Sequence, residues 1–178
     1  MKRGWTGRTR ALFAAFLIGW ALAATVRVQA AEAVWLTGRV VAVVDGDTVQ
    51  VYDGTQRHTV RLAAIDAPER RQAHSQRARQ QLAAWVAQRE VLVTHRRTDR
   101  YRRLVGQVWL DGEDVGLRLV RAGLAWHATP YQREQDPADR QAYAAAQAQA
   151  RAERLGLWSD EAPQPPWLFR RQPRMAPP

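Results

Sequence analysis

From residue 34 onward the chain alternates between apolar and polar positions. "VWLTGRVVAVV" (34–44) and "DTVQVY" (47–52) are dense in β-branched residues, and "QRHTVRLAAI" (56–65) alternates again, the pattern of half-buried strands. Asp53-Gly54-Thr55 between the second and third is a hairpin turn signal, so the pattern predicts a three-stranded meander. The period then changes. Within "ERRQAHSQRARQQLAAWVAQ" (69–88), Ala78, Leu82, Trp85 and Val86 fall on one face of a helix. "EVLVTHR" (90–96) and "LVGQVWL" (104–110) predict a fourth and a fifth strand, the fifth ended by Asp111-Gly112. "DVGLRLVRAG" (114–123) predicts a short helix stopped by Gly123. "DPADRQAYAAAQAQARAERLGLW" (136–158) predicts the longest helix, with Pro137 near its start and Gly156 as its stop signal. Five short strands and three helices make an α+β domain, placed at 34–160.

The two ends depart from this pattern. Lys2, Arg3, Arg8 and Arg10 precede an uncharged apolar run, "ALFAAFLIGWALAATV" (11–26), and "VQA" (28–30) offers small residues for cleavage. This is the architecture of a signal peptide over 1–30, cut after Ala30; the run is short for a comfortable membrane span. The expected location is secreted or periplasmic. The alternative is an uncleaved anchor with the same domain outside the membrane. Residues 163–178 hold six prolines and no periodic pattern, which predicts an extended or disordered Pro/Arg-rich tail over 161–178. "PPWLFRR" within it offers Trp167 and Phe169 for packing back on the domain.

The chain has no cysteine, which excludes disulfides, a thiolate nucleophile and a cysteine zinc site. Its net charge is +10, from 27 cations and 17 acids. Five of the cations (Lys2, Arg3, Arg8, Arg10, Arg27) and none of the acids lie in the leader, leaving 22 against 17, or +5, in the rest. That balance is compatible with a polyanionic partner.

Two acidic positions interrupt the strand pattern. In "VAVVDGDTVQV" (41–51), Asp47 shares strand parity with Val49 and Val51. In "VRLAAIDAPE" (60–69), Asp66 shares parity with Val60, Leu62 and Ala64, and Arg61 falls on the opposite face. Taken singly, Asp-Gly and Asp-Ala-Pro are turn signals. Together, on strands joined by a hairpin, they bring two carboxylates to one end of a sheet. At about 4 Å such a pair repels by roughly 4 kcal/mol at an effective dielectric near 20. A shared proton offsets that; so does a divalent cation, and outside the cell calcium, with its preference for hard oxygens, is the fitting one. The Ala67 carbonyl, aimed by Pro68, is a third candidate ligand. Glu69 is either a first-turn charge on the following helix or a general base beside the ion. Arg61 and Arg103 are candidate phosphate clamps, and Tyr101 in "DRYRRLVG" (99–106) adds an aromatic surface next to Arg103. His58, His74, His95 and His127 show no ligand spacing and are expected to be ordinary histidines.

"VDGDTVQV", "RLAAIDAPE", "DRYRRLVG", "LVRAGLAW" and "LGLWSD" resemble, in order and spacing, the staphylococcal nuclease (thermonuclease) family over about residues 36–160. The resemblance implies a five-stranded OB-fold barrel with three helices. It also implies calcium-dependent hydrolysis of DNA and RNA to 3′-phosphate ends. Residue by residue, it implies Asp47 and Asp66 as calcium carboxylates, Ala67 as the carbonyl ligand, Arg61, Glu69 and Arg103 as catalytic residues, and Tyr101 as a nucleotide contact. Two positions depart from the family pattern. Arg102 stands where relatives usually have glycine, and Thr129 where they have a second nucleotide-contacting tyrosine, with Tyr131 nearby. The rival reading is an OB-fold module that binds nucleic acid without cleaving it; retention of the acidic pair and Glu69 favours the enzyme. A monomer suffices, with no stable protein partner and no membrane contact beyond the leader.

Overall fold

The computed structural model describes residues 33–172. The expected leader at 1–30 and the end of the tail, 173–178, lie outside the described residues. The predicted strands are all present: β1 (Val34–Asp45), β2 (Thr48–Tyr52), β3 (Arg57–Leu62), β5 (Glu90–Thr98) and β6 (Leu104–Leu110), with the two-residue β4 (Ile65–Asp66), β7 (Glu113–Asp114) and β8 (Trp126–His127). The helices are α1 (Ser75–Val86), α2 (Val115–Arg121), α3 (Pro137–Ala152) and a single turn, α4 (Pro166–Phe169). No helix among the described residues is long and apolar enough to cross a membrane.

The long first strand serves two neighbours. Its residues 34–39 pair antiparallel with β5 and its residues 39–45 with β2. β2 continues into β3 and β5 into β6, both antiparallel. The ring closes where β3 meets β6 in parallel, Val60 to Leu104, Arg61 to Val105 and Leu62 to Gly106. This five-stranded closed barrel with its helices is an α+β OB-fold. Alternation fills it: Val40, Val49, Val51, Val60, Leu62, Val91, Val93 and Val108 are buried inside. Ala78, Leu82 and Val86 of α1, Val115, Leu119 and Val120 of α2, and Tyr143 of α3 join the same core.

Two helix boundaries differ from the sequence pattern. α1 starts at Ser75, not at 69. Residues 69–74 carry no side chain for the core, so nothing rewards helix there. They form a turn instead: the Gln72 side-chain oxygen accepts from the Glu69 N–H at 2.9 Å, and His74 sits at φ +63°. α3 ends at Ala152. The chain then turns through Arg154 and Gly156, both at positive φ, and Leu157 N–H donates to the Gly123 carbonyl at 2.8 Å.

A buried polar knot fixes the start of α2. Asp114 caps it by accepting from the N–H groups of Gly116 (2.9 Å) and Leu117 (3.3 Å). The same carboxylate accepts from Tyr143 Oη at 2.6 Å and Gln107 Nε2 at 3.1 Å. Burial nonetheless pushes the Asp114 carboxyl above its ordinary value, those hydrogen bonds offsetting only part of it.

Within the described part of the expected tail, Pro165 is extended and Pro166–Phe169 form the turn α4. Trp167 of α4 meets the Trp126 ring edge-on with centroids 5.8 Å apart, and Trp126 meets Trp158 at 4.3 Å. This indole cluster repays ordering the segment, which sequence periodicity had no means to reveal.

Candidate active site

The site begins at the turn between β1 and β2. Asp45-Gly46-Asp47 packs so closely on the loop after β4 that a Cβ on Gly46 would lie 2.7 Å from the Ala67 Cβ and 3.0 Å from the Ala78 Cβ. Only glycine lets the two backbones approach this far. Asp47, 4% exposed, is then held on several sides: its Oδ2 accepts from the Ala67 N–H at 3.1 Å, its Oδ1 from Thr48 Oγ1 at 3.0 Å, and its carbonyl from the Leu62 N–H at 2.8 Å.

Asp66 is 1% exposed and lies in β4 opposite Trp126. Arg61 joins the two acids: Nη1 donates to Asp47 Oδ1 and Nη2 to Asp66 Oδ1, each at 2.9 Å. The parity count that placed Arg61 on the face opposite the acids fails for a local reason. β3 ends at Leu62, and Ala64 at φ +67° breaks the strand before β4, so the count cannot run from 60 to 66. Arg61 also pairs in register with Thr48, next to Asp47, within easy reach of that carboxylate.

Charge is tightly balanced here. Burial pushes the Asp47 carboxyl up to about 7; the Arg61 guanidinium and the Ala67 N–H oppose this, and Asp45 and Asp66 add to it as like charges. Burial works against the charge of Arg61 as well, but Asp47 and Asp66 outweigh it and hold the guanidinium above its ordinary pKa.

Glu69 is not a first-turn helix residue, since α1 starts six positions later. Its carboxylate meets a residue that sequence reasoning missed. Arg170, just after α4, donates from Nη1 to Glu69 Oε1 at 2.6 Å and to Asp66 Oδ1 at 3.2 Å, and from Nη2 to Asp66 Oδ2 at 2.7 Å. These hydrogen bonds, to Asp66 foremost, hold its pKa above the ordinary arginine value. One arginine among many in a proline-rich tail carries no signal in the sequence; the neighbouring aromatics were the only hint.

Arg103 stands apart from this group. It immediately precedes β6, whose Val105 is the register partner of Arg61. Its Nε and Nη2 both lie 2.8 Å from Asp99 Oδ2. Burial alone would raise the Asp99 carboxyl, but the backbone N–H and side chain of Arg103 outweigh it and hold the group below its usual range. Tyr101, 63% exposed, lies under both Arg103 and Arg100, its centroid 5.4 and 4.8 Å from the two guanidinium carbons. Arg102, at the position read as a glycine site, adopts φ +64°, the left-handed conformation that glycine takes without strain. Thr129 opens a 3-10 turn, Thr129–Glu134, that exposes Tyr131.

Three of the histidines have partners of their own: His58 with Asp53 (2.6 Å), His74 with Asp160 (3.1 Å) and His127 with Gln135 (2.6 Å). Among the described residues no three His, Cys, Asp or Glu side chains gather as a ready metal cluster. The site is two buried carboxylates, a third carboxylate at the rim, guanidinium groups on those carboxylates, and Arg103 just ahead of β6. Carboxylates of this kind could take a cation, and guanidinium groups an anion.

The sequence model of the staphylococcal nuclease homologue family matches residues 59–160. Protein ParB of Escherichia coli is 42% identical over 146 residues, covering 77% of this chain and 80% of its own length. A protein named micrococcal nuclease in Shigella flexneri is 40% identical over 148 residues, covering 78% of this chain and 83% of its own. An uncharacterized endonuclease of Escherichia coli O157:H7 is 42% identical over 134 residues, covering 75% and 84%. On these matches the chain belongs to the staphylococcal nuclease family and is a hydrolase of the nuclease class.

Proposed function

We propose that the chain is an exported, calcium-dependent nuclease that hydrolyses phosphodiester bonds of DNA and RNA and leaves 3′-phosphate ends. The observation that carries the reading is the pair of buried aspartates, Asp47 and Asp66, bridged by Arg61 with Glu69 at the rim. The donor set suits the ion. Both carboxylates are hard oxygen ligands, and both are buried and reached by the one Arg61 guanidinium. Asp47, Asp66 and the Ala67 carbonyl would hold calcium; when bound, it supplies a Lewis acid for a phosphoryl oxygen.

The chain's own residues do the rest. Arg61 lies on β3 and Arg103 just ahead of its neighbour β6, and their planar forks suit phosphoryl oxygens as negative charge builds on them. Both are now spent on aspartates, Arg61 on Asp47 and Asp66 and Arg103 on Asp99, so a phosphate has to draw them away. Glu69 orients or deprotonates the attacking water. Tyr101 offers an exposed ring to the nucleotide. Export rests on the leader pattern at 1–30.

The test is hydrolysis of DNA and of RNA by the purified protein, in calcium and then in chelator, with the product ends identified. Cleavage in calcium, loss of it in chelator, and a fall of at least about a hundredfold for Glu69→Gln are expected. Full turnover in chelator or by Glu69→Gln refutes the assignment.

A further inference from the structure

The C-terminal segment reaches the candidate active site and occupies it. Arg170 contacts both oxygens of Asp66, at 2.7 and 3.2 Å, and Glu69 Oε1 at 2.6 Å. With Arg61 also on Asp66 Oδ1, that carboxylate is fully engaged by guanidinium groups. A bidentate fork on a buried carboxylate is a strong contact. It is directed at the two acids that the nuclease mechanism needs free, one for the ion and one for the water.

The segment is built to deliver this residue. Pro165 and Pro166 set the start of α4, which positions Arg170 just past its last turn. Trp167 anchors the turn on Trp126, and Trp126 is the β-partner of Asp66, so anchor and target are neighbours. Two further ties lie upstream: Gln72 Nε2 donates to the Gln164 carbonyl at 2.9 Å, and His74 lies 3.1 Å from Asp160. α4 is a single turn, too short to be stable alone, so the segment keeps its place through the buried Pro166, the Trp167 contact and the Arg170 bonds; a competitor for Asp66 would remove the last of these.

We propose that the segment carrying Arg170 is an intramolecular latch: its guanidinium stands where the divalent cation would bind on Asp66, and binding of the cation expels it. The inference rests on the calcium reading above. Because arginine and cation compete for one carboxylate, whatever weakens the latch tightens the cation, and the cation in turn loosens the tail. The latch keeps Asp66 and Glu69 paired where calcium is scarce and yields them where it is plentiful.

Calorimetric calcium titration of the full chain, wild type against Arg170→Gln, tests this without any substrate. The variant is expected to bind calcium with a Kd at least about fivefold lower, and Trp167→Ala to shift it in the same direction. In wild type, calcium is expected to speed trypsin cleavage of the Arg171–Gln172 bond, a readout that needs no variant. An unchanged or raised Kd in Arg170→Gln, or cleavage indifferent to calcium, overturns the latch while leaving the calcium reading in place. If neither chain binds calcium, both fall.

Discussion

Replacing Arg61 with glutamine is the perturbation that bears most directly on the site. The guanidinium makes two contacts of 2.9 Å, one to each of two carboxylates that are all but sealed from water. Removing one partner of a buried ion pair typically costs about 3–5 kcal/mol, because the charge left behind has no water to turn to. Arg61 itself keeps 22% of its side chain exposed, so solvent screens part of the loss and about 3 kcal/mol is the expected figure. Equilibrium urea unfolding in calcium-free buffer, followed by tryptophan emission, reads this directly. Asp47→Asn in the same chain should restore part of the loss, since it removes the charge left stranded while Asp66 keeps Arg170; the coupling between the two changes should be about 1–3 kcal/mol. Turnover of Arg61→Gln should fall by about 10²–10³, as for loss of a donor to a developing anion. A single variant within about 0.5 kcal/mol of wild type, or a double variant that is simply additive, would mean that Arg61 does not bind the two acids together.

Two more expectations follow from packing and burial. Gly46→Ala puts a methyl group 2.7 Å from the Ala67 Cβ; it should destabilise by about 1–3 kcal/mol and lower activity by shifting Asp47 off the Ala67 N–H, and wild-type unfolding midpoint and turnover together would refute the close approach. Asp114 has a folded pKa raised above its reference of 3.8. Such a group contributes most below the unfolded pKa, and its contribution is lost as pH rises through the folded one. Unfolding of wild type and Asp114→Asn, compared between about pH 3 and 6, should therefore show the variant gaining on wild type as pH rises; a constant difference would count against a buried, ionising Asp114.

Most of the fold was legible because it depends on short-range pattern. Val49 and Val51, then Val60 and Leu62, at alternate positions, and the Asp53-Gly54 turn, specify the meander. Ala78, Leu82 and Val86 specify the buried face of α1. The beginning of α1 was misplaced because good helix formers at 69–74 have nothing to bury, and propensity alone does not hold a turn of helix. The acidic pair was legible as charge where apolar residues were due. The position of Arg61 between those acids was not, since it turns on one left-handed residue, Ala64, in a stretch of plain strand character. Arg102 shows the converse: it stands out in the sequence as a departure from glycine, and its φ of +64° lies in the left-handed region that favours glycine. Arg170 was invisible because its partners lie about a hundred residues upstream, and no local pattern encodes such a meeting.

The parallel seam between β3 and β6 has a consequence for what holds Arg103 in place. It joins residues 60–62 to residues 104–106, whereas Asp47 and Arg61 belong to one hairpin. Arg103 immediately precedes the seam and is tied to the Arg61 strand by pairing between distant parts of the chain. A substitution that loosens the seam would therefore displace Arg103 while leaving the Asp47–Arg61 contact untouched.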